Sequence, residues 1–388
     1  MDVKERVCPL PSLFFPFFSF PLLLLIGLLL LVCGLSDCNP KPVIFNFGDS
    51  NSDTGTYFIM HGRISQISQT LAQSLSIQTQ GRMSDGQLVL DFFCESLNAH
   101  YLSPFLESID ANFTNGVNFA MSGSSIAPTS VFFSLQNQVA HFSRFKRRSL
   151  DFVSKGDKDL LGNEDFENAI YVIDIGQNDI DAAFSSQSYV VAVQRIPFFI
   201  SEIENAMWVL YQQGARKFWV HNTGPLGCLP KTLTSSNFPA NDLDQHGCVT
   251  SFNSGAQLFN EGLRRLRDKL AHEMKDAIIV YVDIYAIKYD LIANSSVYGF
   301  ENAVTACCGY GGGQYNYDPI VQCGVPGFKV CEKRSEYVNW DGIHYTEAAN
   351  KFVANKILTG HYSTPQVALA DILFSSHSAA HALAPAPA

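Results

Sequence analysis

Five short, nearly unbroken apolar runs recur along the chain, separated by segments with helical periodicity, and this alternation restricts the fold more than any other feature. The runs are residues 43–47, 116–120, 169–175, 216–221 and 277–283. Strands that are apolar on both faces belong in a sheet that helices cover on both sides. Residues 87–98, 133–148, 189–213, 252–275 and 345–358 carry helix-length patterns. Strand alternating with helix predicts a single α/β domain, a three-layer α/β/α sandwich around a central parallel sheet. In such open sheets ligands bind beyond the carboxyl ends of the strands. The residues that follow each run are therefore the first candidates for chemistry.

Only 16% of the 388 residues are charged, against about 25% in an average soluble protein, and 47% are hydrophobic. That composition excludes global disorder and coiled coil. A net charge of −10 leaves no electrostatic footprint for a phosphate backbone, so no nucleic-acid partner is expected. Lys4 and Arg6 precede a stretch without charge from Val7 to Val32, and the small residues Gly34 and Ser36 suit a cleavage site. Residues 1–36 read as a secretory signal peptide. A retained signal anchor is the alternative, because the apolar stretch approaches the ~20 residues that span a bilayer. Pro11, Pro16 and Pro21 break its front half and leave a core of signal length. The expectation is a secreted chain in the extracellular space or cell wall, without a stable membrane anchor. Its catalytic domain spans 37–362, followed by a C-terminal tail, 363–388, whose Ala/Pro/Ser-rich end at 377–388 reads as disordered.

Of the ten cysteines, Cys8 and Cys33 lie in the leader, which leaves Cys38, Cys94, Cys228, Cys248, Cys307, Cys308, Cys323 and Cys331. An even count in a secreted chain reads as disulfides. Zinc is the competing use, but there is no Cys-x-x-Cys pair, and the adjacent Cys307 and Cys308 suit tetrahedral ligation poorly. No metal is expected. Local pairing joins Cys228 to Cys248 and joins Cys307 and Cys308 to Cys323 and Cys331, holding a Gly-, Tyr- and Cys-rich loop over 298–334. Cys94 sits in an apolar helical pattern, as a core residue would. Asn-x-Ser/Thr triplets at Asn112 and Asn294 are candidate glycosylation sites. The basic cluster Arg144, Lys146, Arg147 and Arg148 reads as the solvated end of a helix.

The first apolar run ends abruptly in Gly48-Asp49-Ser50-Asn51-Ser52-Asp53-Thr54-Gly55. Ser50 stands where a nucleophile would, with Gly48 allowing a tight turn and backbone N–H groups beyond it able to meet an oxyanion. A turn or helix-cap serine is the plainer use of Gly-Asp-Ser. A serine hydroxyl needs a base, and His344 in Trp340-Asp341-Gly342-Ile343-His344 is preceded by an Asp that could take its Nδ1–H. Asp341 could instead cap the helix that follows. Asn178, in Gly176-Gln177-Asn178-Asp179 after the third run, could donate to an oxyanion or cap its own turn. Gly123, after the second run, offers an unhindered backbone N–H.

Taken in this order, Ser50, Gly123, Asn178 and Asp341-x-x-His344 resemble the GDSL esterase/lipase family, the SGNH hydrolases named for Ser, Gly, Asn and His. The resemblance runs from about Val43 to Leu358. Residues 45–55, 221–230 and 338–350 resemble the plant branch, within it the early-nodulin-like and α-fucosidase-like subgroup. Asn51 stands where the family name has Leu. The resemblance implies a flavodoxin-like SGNH hydrolase fold and a catalytic triad of Ser50, His344 and Asp341. It also implies an oxyanion hole from Ser50, Gly123 and Asn178, and no cofactor.

The activity so implied is a serine esterase or lipase acting through an acyl-enzyme on a small-molecule or polysaccharide ester. Acyl transfer would use the same residues. Glycoside hydrolysis would need two carboxylates flanking a sugar bond, and the sequence isolates no such pair. A catalytically silent carbohydrate-binding wall protein is the alternative from a different class.

Overall fold

Each apolar run forms a strand in the computed structural model, which describes residues 41–61, 81–128, 133–235, 238–239 and 241–375. They are β1 (Ile44–Gly48), β2 (Gly116–Asn118), β3 (Ile170–Asp174), β4 (Lys217–His221) and β5 (Ile278–Val282). Every residue of β1, β2, β4 and β5 is buried. All five pair in parallel in the order β2-β1-β3-β4-β5. This is the flavodoxin-like order, whose direction of winding reverses between β1 and β3. The crevice at that reversal is where a ligand has room at the carboxyl ends of the strands.

The longer helices are α1 (Val89–Ser96), α2 (Leu135–Ser154), α3 (Gln177–Ser186), α4 (Tyr189–Gln212), α5 (Thr250–Glu273), α6 (Ile284–Ala293) and α7 (Glu347–Leu358). α4 packs against both α2 and α5, while α7 packs against both α1 and α6, giving the two outer layers. Burial against α2 explains the aromatic content of β1. Phe45 stacks on Phe166 at 5.2 Å and meets Phe142 edge-on at 5.1 Å, while Phe47 stacks on Phe119 at 5.3 Å. Ser134 caps α2, which runs on to Ser154. The basic cluster at 144–148 therefore lies on the solvated face of the helix, not at its end. Lys146 leaves that face to bond the Gln213 carbonyl and to lie over the Phe166 ring.

Between α6 and α7 the chain leaves the alternation, as the Gly/Tyr/Cys composition suggests. It forms β6 (Asn302–Ala306), β7 (Cys308–Gly309), β8 (Lys329–Val330) and β9 (Tyr337–Asn339), with β6 paired to β9 and β7 to β8. The disulfides are Cys228–Cys248, Cys307–Cys331 and Cys308–Cys323. Cys94 is free and fully buried in α1.

The sheet continues past residue 362, where the sequence reading closes the domain. β10 (Ser363–Thr364) pairs antiparallel with β5 and covers its edge, and α8 (Leu369–Leu373) buries Leu369, Ile372 and Leu373 in the core. The central sheet is therefore mixed, parallel in five strands and antiparallel at one edge. The ordered unit reaches at least Ser375, because an exposed β5 edge and an apolar helix face both gain by being covered. The described residues from Pro42 form one compact unit. The leader at 1–36, with Cys8 and Cys33, then Cys38 and the tail end at 377–388, all lie outside the described residues.

Candidate active site

The turn after β1 is built so that Ser50 cannot drift. Gly48 is the last strand residue, and a Cβ there would stand 2.3 Å from Ser52 Oγ and 2.7 Å from the Asp174 carbonyl, so only glycine lets the turn sit this low. Gln138 of α2 accepts from the Gly48 N–H at 2.9 Å and donates to its carbonyl at 2.8 Å. Asn46 donates to Ser52 Oγ and Asn118 Oδ1, and Asn118 donates to the Ser52 carbonyl and Thr54 Oγ1. Asp53 accepts the N–H groups of Gly55, Thr56 and Tyr57, and that of Ser122 at 2.8 Å. One buried carboxylate thus ties the serine turn to the loop that carries Gly123.

Ser50 Oγ lies 2.7 Å from His344 Nε2, and His344 Nδ1 lies 2.6 Å from Asp341 Oδ2. The chain separates Ser50 from His344 by 294 residues, so the fold alone brings them together. Asp341 Oδ1 accepts the N–H of Ile343 at 3.0 Å and of His344 at 2.8 Å. Burial works to raise the Asp341 carboxyl, but the His344 charge and these hydrogen bonds outweigh it and hold Asp341 below the usual carboxylate value. It stays ionised opposite His344. Capping of α7 falls to Thr346, whose Oγ1 accepts the Ala349 N–H at 3.2 Å, so Asp341 does not serve that purpose.

The excursion between β6 and β9 grips the Asp-x-x-His turn. Cys307 N–H donates to the Asn339 carbonyl at 3.0 Å and Cys308 N–H to that of Trp340 at 2.6 Å. The Tyr317 ring occupies the space beside Gly342, where a Cβ would stand 2.3 Å from it. Lys231 donates its backbone N–H to the Gly342 carbonyl at 3.0 Å and pairs through its ammonium with Asp181. Replacing Cys308 and Cys323 together with serine releases the loop of sequence separation 15 that carries Tyr317. Stability should fall by about 3 kcal/mol, read from a denaturant midpoint, with esterase kcat falling alongside because the His344 turn loosens.

Gly123 adopts φ 82°, a left-handed conformation suited to glycine, and has open space around it. Asn178, in the first turn of α3, donates Nδ2 to the Ser124 carbonyl at 2.9 Å, and Asp179 Oδ2 accepts the Ile126 N–H at 2.8 Å. Burial raises the Asp179 carboxyl to about 6 against the pull of these bonds. The amide of Asn178 keeps a second N–H. The N–H groups of Ser50 and Gly123 donate to no acceptor among the described residues. The Ser50 and Gly123 N–H groups are thus left unpaired among the described residues, and Asn178 stands at the positive end of α3. Gln138 and Asp53 escaped the sequence reading; a buried polar residue inside an apolar helix face was the available signal for the first.

The GDSL-like lipase/acylhydrolase family model matches residues 44–357. The chain belongs to this family. It is 49% identical over 357 residues to GDSL esterase/lipase LIP-4 of Arabidopsis thaliana, covering 90% of this chain and 95% of the relative. It is 50% identical over 355 residues to GDSL esterase/lipase At1g09390 of the same plant, covering 89% and 95%. Alpha-L-fucosidase 3 of Arabidopsis thaliana is similar at 41% over 340 residues, covering 82% of this chain and 90% of the relative. As a GDSL-like lipase/acylhydrolase the protein is a carboxylic ester hydrolase of the serine type. The candidate site residues Ser50, Gly123, Asn178, Asp341 and His344 all lie within the matched span.

Proposed function

We propose that Ser50 is the nucleophile of a secreted esterase, His344 its general base and acid, and Asp341 the residue that orients His344. The observation that carries this is the continuous chain of contacts Ser50 Oγ to His344 Nε2 at 2.7 Å and His344 Nδ1 to Asp341 Oδ2 at 2.6 Å. With Asp341 ionised, the Nδ1–H tautomer is favoured and Nε2 is free to take the serine proton. Ser50 Oγ attacks the ester carbonyl carbon while His344 accepts the hydroxyl proton. The carbonyl oxygen gains negative charge and is received by the Ser50 and Gly123 N–H groups and by Asn178 Nδ2. Collapse expels the alcohol, which takes the proton from His344, and leaves the acyl group on Ser50. Water, deprotonated by His344, then attacks the acyl-enzyme, and the Ser50 Oγ–acyl bond breaks as His344 returns the proton to Oγ and the acid leaves. The same constellation would hand the acyl group to a second alcohol if one displaced water.

The hydrolase domain extends from about Pro42 through α8. Secretion is supported by the leader composition at 1–36 and by the cysteine usage. Asn294 is exposed at the end of α6 and suits glycosylation; Asn112 is half-buried, its Oδ1 taken by Thr114. Hydrolysis of p-nitrophenyl acetate tests the reading. Replacing Asn178 with alanine should lower kcat roughly 10²- to 10³-fold with KM nearly unchanged, because the donor serves charge present only in the transition state. A change confined to KM would make Asn178 a ground-state binder.

A further inference from the structure

Beneath the nucleophile turn lies a buried set of charged groups that the acyl-transfer steps do not use. A cavity of ≈ 20 Å³ is lined by Asp49, Asp174, His221, Lys288 and Asn350, among others. These residues come from the turn after β1, from β3, β4, α6 and α7, so the sheet assembles them as it assembles the site above. Asp49 is 1% exposed, His221 4% and Lys288 8%. Asp49 Oδ2 and His221 Nε2 have no hydrogen-bond partner among the described residues. His221 Nδ1 lies 3.5 Å from Asp174 Oδ2, and the Lys288 ammonium sits 4.3 Å from the centre of the Tyr345 ring, directly after His344.

The buried Asp49 and the partly exposed Asp174 line this cavity together with the buried Lys288 ammonium, and such a set cannot all be charged at low cost. Burial raises Asp49 to about 7, with the nearby Asp174 adding to the rise. Asp174 is held below its usual value, because His221 and Lys288 together outweigh its burial. Burial lowers Lys288, opposed by the pull of Asp174 and Asp49. Asp49 therefore keeps its proton below neutrality. Asp49 is also the residue before Ser50. Its Oδ1 accepts the Asn51 N–H at 3.0 Å and the Asn51 side chain at 2.9 Å, its N–H donates to the Asp174 carbonyl, and the His344 charge opposes its rise.

We propose that Lys288 is a positioning residue for ester hydrolysis: by neutralising Asp174 beneath the nucleophile turn, its ammonium keeps Asp49 seated against Asn51 and sets the field around His344. The charged and titratable groups concerned are Asp49 and Asp174, His221, Lys288 itself, and His344 with Tyr345 and Asp341 from the turn above, Asp341 lying 2.6 Å from His344 Nδ1. Removing the cation makes the surroundings of His344 more negative, which favours the imidazolium. The acid limb of kcat/KM should then move to higher pH. Removing the Asp174 charge should move it to lower pH.

The inference rests on Ser50 being the nucleophile, so fluorophosphonate labelling of Ser50 in the unaltered protein accompanies the test. Lys288→Met should shift the acid limb upward by roughly one pH unit and lower kcat about tenfold with KM unchanged. Asp174→Asn should shift it the other way, and the double variant should return it toward the original position. A purely structural role would lower the melting temperature of each single variant and leave the limb in place. An unmoved limb in Lys288→Met, or a double variant no closer to the original, overturns the inference while Ser50 labelling leaves the reading of the site intact. Should Lys288→Met fail to accumulate, an unmoved limb in Asp174→Asn overturns it equally. Absence of label at Ser50 overturns the reading of the site, and the inference with it.

Discussion

Ser50→Ala should lower ester turnover on the order of 10⁴- to 10⁶-fold while the melting temperature stays within a few degrees. The two halves of that expectation have separate causes. The turn that holds Ser50 is fixed by groups other than its hydroxyl: Gln138 on Gly48, Asn46 and Asn118 on Ser52, and Asp53 on the segment beyond. Alanine removes one oxygen, opens no sizeable cavity and leaves those bonds in place. Turnover depends on the oxygen itself, since water held beside His344 is not tethered at the carbonyl carbon and forms no acyl-enzyme. Initial rates on p-nitrophenyl acetate together with a thermal melt read both halves. Activity within tenfold of the original would remove Ser50 from the mechanism.

Asp341→Asn should reduce kcat about 10⁴-fold near neutral pH with little loss of stability. Its Oδ1 would still accept the Ile343 and His344 N–H groups, so the turn keeps its shape. The second position changes sense, because an amide N–H would face His344 Nδ1 where a carboxylate oxygen now accepts from it. His344 then favours the tautomer with its proton on Nε2, which can no longer accept from Ser50. Since Thr346 caps α7, no loss of a helix cap accompanies the change. A large loss of kcat at constant melting temperature supports the orienting role. Full activity would contradict it.

The sequence makes legible what depends on short stretches of chain. β1 to β5 are readable because each is buried on both faces and so is apolar nearly throughout. The candidate triad is readable because Asp341 and His344 share one turn and Ser50 follows a strand directly. β10 is not, since two residues beyond the last long helix carry no period, and its place follows from the open edge of β5. The pairing of Cys307 with Cys331 and of Cys308 with Cys323 is hidden because neighbouring cysteines have nearly equal reach. The cluster of Asp174, His221 and Lys288 is hidden for a similar reason. Each is a single polar residue in or next to an apolar element, and only the strand order β1-β3-β4-β5 brings them beneath Asp49.

The central claim is that one acyl group is carried by Ser50, activated by His344. Titration with a fluorophosphonate, followed by peptide mass analysis, tests it most directly. Esterase activity should fall linearly to zero as one equivalent reacts per chain and expels fluoride, with the phosphonyl adduct on Ser50 and nowhere else. His344→Ala should abolish labelling. Activity that survives saturation, or an adduct on a residue other than Ser50, would contradict it.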